Sequence, residues 1–241
     1  MTNLEFMKKT NWKSVALYYF IACLWSWPFF WWRDINSESW KALSIPNFLK
    51  TWSYMWGPGI SALICLYIFR KSHDHQITFR GTSLWRGLLF MLTLPVALAV
   101  VHLEPKYLAF GGLGFISILG EELGWRGFLQ DALKLKSDYV KAIVIGILWE
   151  LWHFTNRTVD GTLLNVIIRV SIFIAVLTVT SFVILKLTKS TRSLFIPIAI
   201  HMAIDSAFEF DRGWQSVLLC IPVWALLYMN WIKSKELPVA T

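Results

Sequence analysis

Two adjacent carboxylates and an arginine stand in a stretch of the chain whose other residues are typical of a membrane helix. Glu121 and Glu122 lie in the sequence GEELGWRGFL, and Arg126 follows four residues after Glu122. A charged side chain at the centre of a bilayer costs roughly 2.5–3.5 kcal/mol on insertion scales, so such groups are candidates for functional sites. The chemistry to consider is general-base activation of water or the movement of a proton.

The spacing on a helix divides these three residues. Glu122 and Arg126 share a face and can form an ion pair, with the carboxylate N-terminal to the arginine as helix electrostatics prefer. Glu121 is turned by about 100° from Glu122 and faces a different neighbour. An ion pair that only fixes helix packing would explain Glu122 and Arg126. It would not explain why the chain bears the free-energy cost of placing Glu121 in the membrane. We therefore expect Glu121 to be the available base, with the other two residues supporting the site.

Two histidines further along the chain extend the candidate site. His153 ends the sequence WELWH, and His201 lies four residues before Asp205, so that both project from one helix face. A single histidine in a membrane helix is more often a hydrogen-bonded packing residue than a catalyst, but two histidines, a dicarboxylate and an aspartate on three helices favour a polar site. Glu150 and Trp149 are possible cavity residues, and Glu150 could instead orient His153.

The composition indicates a polytopic membrane protein. The 241 residues are 56% hydrophobic and 16% charged, with a mean hydropathy of +0.52, whereas soluble domains carry about 25% charged residues. The net charge of +8 does not indicate nucleic-acid binding, because the Lys and Arg residues lie between apolar segments. Cys23, Cys65 and Cys220 each stand in an apolar run without paired spacing, which predicts buried free thiols.

Apolar runs separated by charged or Gly/Pro-containing breaks predict an all-α bundle of about eight transmembrane helices. The predicted helices are residues 11–32, 52–69, 84–103, 107–130, 139–154, 162–185, 193–208 and 214–231. They form a single integral-membrane domain over residues 1–241, with the chemistry-bearing residues between 120 and 206. The first apolar run has no small-residue cleavage site, so we interpret it as a retained helix rather than a signal peptide.

The basic residues predict the orientation. With this division of the chain, fifteen Lys and Arg residues fall on the side of the termini and seven on the other side. The positive-inside rule then places both termini in the cytoplasm of a multi-pass plasma-membrane protein. His73 and His75 fall in a loop on the side of the termini, where we expect them to be exposed to solvent.

The EExxxR pattern of Glu121, Glu122 and Arg126, in the setting EELGWRGFL, resembles the first motif of the CAAX-protease and bacteriocin-processing (CPBP, or Abi) family of intramembrane glutamic proteases. His153 matches the second motif of that family, usually FxxxH, and His201 with Asp205 matches the third, HxxxN or HxxxD. The three motifs occur in the family's order on separately predicted helices. The first hundred residues add little to the resemblance beyond hydrophobicity.

The resemblance implies a bundle whose polar cavity opens to the cytoplasm and which cleaves peptide bonds near the terminus of a membrane-bound chain. Glu121 with His153 would activate the attacking water, and His201 with Asp205 would stabilise the oxyanion. Two positions depart from the family pattern. Trp149 stands where Phe is usual, and Asp205 stands where Asn is commoner, so Asp205 would have to be protonated or instead orient His201.

The sequence leaves a metal site and other functions open. Glu121, His153 and His201 could form a three-ligand zinc site, but no HExxH is present, and we favour a metal-free glutamate mechanism with no cofactor. The expected partners are a membrane-associated peptide or protein substrate and the lipid bilayer, with no nucleic acid. The alternative functions are a non-catalytic bacteriocin-immunity or scaffold protein of the same fold, and a proton-coupled transporter.

Overall fold

The computed structural model describes residues 9–73, 75–156 and 162–236, and helices dominate throughout these ranges. The predicted all-α fold is confirmed, since the only β-type pairing in this part of the chain is an isolated bridge between Thr78 and Ser193. The helices are α1 (Trp12–Ile35), α2 (Ser37–Ala42), α3 (Asn47–Met55), α4 (Gly57–Ile68), α5 (Leu84–His102), α6 (Lys106–Glu122), a π-helix (Leu123–Leu129), α7 (Gln130–Ala132), α8 (Asp138–His153), a 3₁₀ turn (Phe154–Asn156), α9 (Leu163–Thr191), α10 (Phe195–Glu209) and α11 (Gly213–Glu236).

Four long helices form much of the apolar surface of the bundle. The segments of α1, α5, α9 and α11 that are long and apolar enough to cross a membrane are Trp12–Arg33, Leu84–His102, Leu163–Thr191 and Gly213–Lys233. Leucine, isoleucine and valine side chains remain exposed along α9 from Leu163 to Val183, a surface that suits lipid rather than water. The chain is therefore a multi-pass membrane protein.

The predicted number of about eight transmembrane helices needs correction, because four of the described helices meet the requirement of length and composition. The predicted span 52–69 is divided between α3 and α4, and the predicted span 107–130 is divided between α6, the π-helix and α7. Helices α8 and α10 have 16 and 15 residues, which at 1.5 Å per residue reach about 24 Å of a hydrocarbon core about 30 Å thick. The interrupted and short helices are the ones that carry the motif residues.

A close approach of two backbones fixes α4 against α6 directly beside the first motif. A Cβ atom added to Gly59 would lie 2.8 Å from the carbonyl oxygen of Gly120, so only glycine permits this contact. Small residues allow such close packing of membrane helices. Helix α1 closes the same region, because Ser61 of α4 donates a hydrogen bond to the carbonyl oxygen of Tyr18, and the ring of Tyr18 contacts Trp125.

The π-helix departs from the regular helix that the sequence predicts through residue 130. All its residues except Leu123 are buried, including Arg126. Single turns of π-helix occur frequently at functional sites because the extra residue per turn reorients the side chains that follow. Here the π-helix begins immediately after Glu122, so the side chain of Arg126 points in a different direction from the one it would have in a continuous α-helix. The side chains of Glu122 and Arg126 nevertheless remain in contact.

The bundle has two ends, which we name by the residues that form them. The terminal end comprises the start of α1, residues 69–73, 75–83, 133–137 and 192–194 and the end of α11. The distal end comprises the end of α1, residues 36–56, 103–106 and 210–213. At the terminal end, Thr78 exchanges backbone hydrogen bonds of 2.9 Å with Arg192 and Leu194. At the distal end, the ring of Tyr107 packs against Phe210 with centroids 5.5 Å apart.

An ion-pair cluster at the terminal end joins α8 to α9. The carboxylate of Asp138 lies 2.6 Å from Nζ of Lys186 and 3.2 Å from Nζ of Lys189. The hydrogen bond from Lys186, together with the bond and charge of Lys189, holds the pKa of Asp138 below its ordinary value. Helix α8 is thereby anchored at the end opposite to His153.

Candidate active site

Glu121 is held by the indole of Trp149. The Nε1 atom of Trp149 donates a hydrogen bond of 3.0 Å to Oε2 of Glu121, and the two side chains are 2% and 1% exposed. The bond joins α6 to α8. Gly120 and Gly59 also allow α6 to lie close to α4. One oxygen of the buried carboxylate is thus fixed by a neutral donor.

Glu122 faces a different set of partners, as its position on the helix predicts. Its Oε2 lies 3.4 Å from Nε of Arg126, and its Oε1 lies 2.8 Å from Nδ1 of His201. The guanidinium of Arg126 lies 4.3 Å from the centroid of the Trp149 ring, and its Nη2 donates to Oγ of Ser181 at 3.4 Å. The buried charge of Glu122 is therefore offset by a cation and a histidine, which such burial requires.

Both ring nitrogens of His201 face a carboxylate. With Nδ1 on Glu122, its Nε2 lies 3.8 Å from Oδ1 of Asp205, a separation longer than a hydrogen bond. The ring of His201 also meets Trp149 edge to face, with centroids 5.2 Å apart. Because the Glu122 carboxylate contacts Nδ1, the ring of His201 is held with Nε2 on the side of Asp205. The side chain of Asp205 is 32% exposed and that of His201 is 8% exposed.

A cavity of about 500 Å³ connects these residues to the outside of the bundle. This volume lies within the range of about 300–1,000 Å³ found for small-molecule sites. Glu121, His153 and Asp205 line it, whereas Glu122, Arg126 and His201 do not. His153 is held by a contact of 3.0 Å between its Nδ1 and the carbonyl oxygen of Trp149.

The mouth of the cavity lies at the distal end. Arg33 at the end of α1, Thr51 in α3 and Glu209 at the end of α10 line its outer part. The start of α1 and the end of α11 lie at the other end of the bundle. A cavity open to the cytoplasm, which the resemblance implies, and cytoplasmic termini, which the charges predict, therefore exclude each other.

The residues suggested as a zinc site were tested for fit by the positions of their ligand atoms. Among the described residues, the group of three whose ligand atoms lie within 4.8 Å of one another is His73, His75 and Asp131 at the terminal end, and not Glu121, His153 and His201. Oε2 of Glu121 also already accepts the indole N–H of Trp149. The donor geometry in this structure does not fit a metal held by those three residues.

The structure brings most of the sequence-predicted residues together. Glu121, Glu122, Arg126, His201 and Asp205 form one connected group through Trp149, and His153 shares the cavity with two of them. Glu150 is buried, and neither it nor Trp149 is among the residues that line this cavity. The sequence predicts Trp149 as a possible cavity residue and does not predict its hydrogen bond to Glu121. The available signal was its position four residues before His153, which places both on one face of α8.

Comparison with known proteins bears on the same part of the chain. Residues 103–207 match the family model described as type II CAAX prenyl endopeptidase Rce1-like. CAAX prenyl protease 2 of Methanococcus maripaludis is 33% identical over 92 residues, which are 35% of this chain and 34% of the relative. The chain thus spans about a third of the length of this curated relative. All three motifs lie inside the range that the family model matches.

Proposed function

We propose that the chain is an intramembrane endopeptidase, because residues 103–207 match the family model described as type II CAAX prenyl endopeptidase Rce1-like. Its reaction is the hydrolysis of a peptide bond near the terminus of a membrane-associated or lipophilic peptide or protein. One observation carries the proposal. Glu121 lines the cavity together with His153, while the neighbouring Glu122 is engaged by Arg126 and His201.

Glu121 is the proposed general base. A water molecule in the cavity between Glu121 and His153 loses a proton to the carboxylate as its oxygen bonds to the scissile carbonyl carbon. When the C–N bond breaks, the Glu121 carboxyl group returns that proton to the leaving amine. Trp149 occupies one carboxylate oxygen, so the other oxygen is the proposed proton acceptor.

His201 is the proposed donor to the oxyanion. The Nδ1–H of His201 donates to Glu122, so His201 acts in its imidazolium form, whose second N–H, on Nε2, donates to the oxygen of the tetrahedral intermediate, where preorganised donors act most strongly. The gap of 3.8 Å between Nε2 and Asp205 is consistent with Asp205 orienting His201 rather than bonding tightly to it. An ionised Asp205 beside an oxyanion would be unfavourable, so its carboxyl group is protonated when the intermediate forms.

The test uses purified full-length protein in lipid vesicles with a fluorogenic, lipid-anchored peptide. We expect Glu121→Gln and His153→Ala each to reduce kcat by at least about 100-fold, the scale of general acid–base catalysis. Glu104→Gln and His102→Ala are matched controls, because Glu104 belongs to the distal end, His102 is the last residue of α5 next to it, and neither lines the cavity. Full activity of Glu121→Gln would instead support a non-catalytic scaffold.

A chelator separates the two chemical mechanisms. The proposed reaction needs no metal, so incubation with a strong chelator and dialysis leaves the rate unchanged. Loss of activity that zinc restores would refute the metal-free version.

The charge distribution supports an orientation with the terminal end in the cytoplasm, and the cavity mouth then faces the opposite side of the plasma membrane. Cys23, Cys65 and Cys220 are all buried, so single exposed cysteines can report the orientation. In intact cells, a membrane-impermeant maleimide should label Glu104→Cys and should label Ser72→Cys only after permeabilisation. The reverse pattern would place the cavity mouth in the cytoplasm.

The substrate proposed for the first tests is a chain with a prenylated terminus, because the Methanococcus maripaludis relative is named a CAAX prenyl protease. Lipophilic leader peptides and membrane-protein tails share the required apolar anchor. Comparison of membrane proteomes from cells with the wild type and with Glu121→Gln identifies the substrate by a shifted terminus. The same comparison with Glu104→Gln should show no such shift.

A further inference from the structure

A second cluster of chemistry-bearing residues lies at the terminal end, away from the cavity. One ligand atom each of His73, His75 and Asp131 lies within 4.8 Å of the others. The Nδ1 atom of His75 is 4.0 Å from Oδ2 of Asp131. Sequence analysis predicted both histidines to be exposed, which holds for His75, whereas His73 is partly buried.

The backbone around the cluster is fixed. The N–H groups of Gln76 and Ile77 donate to Oδ2 of Asp131 at 2.7 and 3.2 Å, so the loop that carries both histidines is tied to the end of α7. Directly after them, Thr78 is bonded to the turn between α9 and α10. The two imidazoles are thus presented next to the carboxylate by a loop held on two sides.

His73 is oriented by a ring contact. Its imidazole stacks on Phe128, with centroids 4.8 Å apart and planes inclined by 11°. Phe128 is buried and belongs to the π-helix that also carries Arg126. A fixed ring on a buried platform is a feature of a preorganised ligand rather than of a solvated side chain.

We propose that His73, His75 and Asp131 form a binding site for a transition-metal dication, with zinc as the first candidate. Two imidazoles and a carboxylate are ligands that zinc takes in proteins, with further positions open to water. Ca²⁺ and Mg²⁺ fit less well, since they require several oxygen ligands and the cluster supplies one carboxylate, which also feels the positive charge of Lys134.

The geometry requires a small closure on binding. Ligand atoms about 2.0–2.1 Å from a tetrahedral zinc ion are about 3.4 Å apart, compared with separations of up to 4.8 Å in the cluster. The exposed ring of His75 can rotate to shorten its distances to the other two ligands. Through Phe128, the bound ion then restrains the π-helix next to the proposed active site.

Zinc binding by the full-length, tag-free protein in detergent tests the proposal, with competition against a chromophoric zinc indicator as the readout. The wild type is expected to bind one zinc ion per chain at micromolar free zinc, and His75→Ala to bind at least about tenfold more weakly. His75 is exposed, so this variant should fold, and zinc should raise the Tm of the wild type but not that of His75→Ala. His102→Ala, a histidine next to the distal end, should bind zinc as the wild type does.

The same measurement separates this site from the proposed active site. Glu121→Gln is expected to retain zinc binding whether or not it retains peptidase activity. Absence of zinc binding by the wild type, or equal binding by His75→Ala and His102→Ala, would overturn the proposal. Loss of binding in Glu121→Gln but not in His75→Ala would also overturn it, because the ion would then lie at the cavity.

Discussion

Trp149 and Glu121 are joined across α8 and α6 by a hydrogen bond of 3.0 Å from the indole N–H to the carboxylate. The same indole ring supports the guanidinium of Arg126 at 4.3 Å and contacts the edge of His201. One side chain therefore reaches all the groups that surround the two carboxylates. A phenylalanine, the usual residue in the motif that this segment resembles, would preserve the ring contacts and remove only the donor.

Replacing Trp149 by phenylalanine should lower kcat by roughly 10-fold or more, because a hydrogen bond to a charged group contributes about 1.5–3 kcal/mol. The Tm should change little, since the ring still packs against Arg126 and His201. Peptidase assays and thermal unfolding of the purified variant measure both quantities.

Trp149→Ala provides the comparison. It also removes the ring, and large-to-small changes at buried aromatic positions cost about 3–5 kcal/mol, so its Tm should fall clearly. Equal activity of the wild type and Trp149→Phe would show that the indole N–H does not position Glu121.

The Glu122–Arg126 pair should behave as a buried ion pair. Arg126→Leu leaves the carboxylate of Glu122 buried without its cation, which should reduce the free energy of unfolding by about 3–5 kcal/mol. Adding Glu122→Gln to Arg126→Leu should recover part of this loss, because the uncompensated charge is gone. A double-mutant cycle on thermal or denaturant unfolding gives the coupling free energy.

The exposed pair of Lys41 and Glu38, with atoms 3.1 Å apart, is the control for that cycle. Surface pairs contribute about 0–1 kcal/mol, so Lys41→Ala should change stability little. A coupling free energy for Glu122 and Arg126 no larger than that of the surface pair would contradict the role that we assign to them.

Asp205→Asn should retain activity within about threefold of the wild type. The amide keeps an oxygen on the side of Nε2 of His201, and it carries no charge that would oppose an oxyanion. Asp205→Ala removes the acceptor and should lower kcat by about 10-fold or more. Steady-state kcat values of the wild type and the two variants with one peptide test this prediction. An inactive Asp205→Asn variant would mean that the carboxyl group itself takes part in proton transfer.

The sequence predicted that the two carboxylates face different partners because a helix turns by about 100° per residue. That rule depends only on local geometry, so it survived the change to π-helix immediately after Glu122. The membrane class followed from composition, and His201 and Asp205 were placed on one face by their spacing. These features are local or additive, which is why one sequence suffices for them.

Other features depend on tertiary contacts that spacing does not reveal. The donor role of Trp149 requires α8 to approach α6, and the cluster of His73, His75 and Asp131 joins residues far apart in sequence. The shortness of α8 and α10 was visible in the predicted ranges, but the burial of most side chains of α10 was not. The position of the cavity mouth likewise depends on tertiary structure, because Arg33 and Glu209, which line it, are far apart in the sequence.

The glycines of α6 offer a test of how helix packing positions Glu121. A Cβ atom on Gly120 would lie 2.9 Å from both the carbonyl oxygen of Met55 and the Cα atom of Trp56, whereas one on Gly112 would meet nothing within 4 Å. Gly120→Ala should therefore push α6 away from the α3–α4 junction, at a cost of about 1–3 kcal/mol for overpacking, and should lower kcat because Glu121 moves with the helix.

Gly112→Ala is the matched substitution in the same helix. It should leave kcat unchanged and stabilise the protein by up to about 1 kcal/mol, since alanine loses less backbone entropy than glycine on helix formation. Thermal unfolding and peptidase rates of the two variants are measured side by side. If Gly120→Ala matches Gly112→Ala in both, the close approach of α4 to α6 is not what holds Glu121 at the cavity.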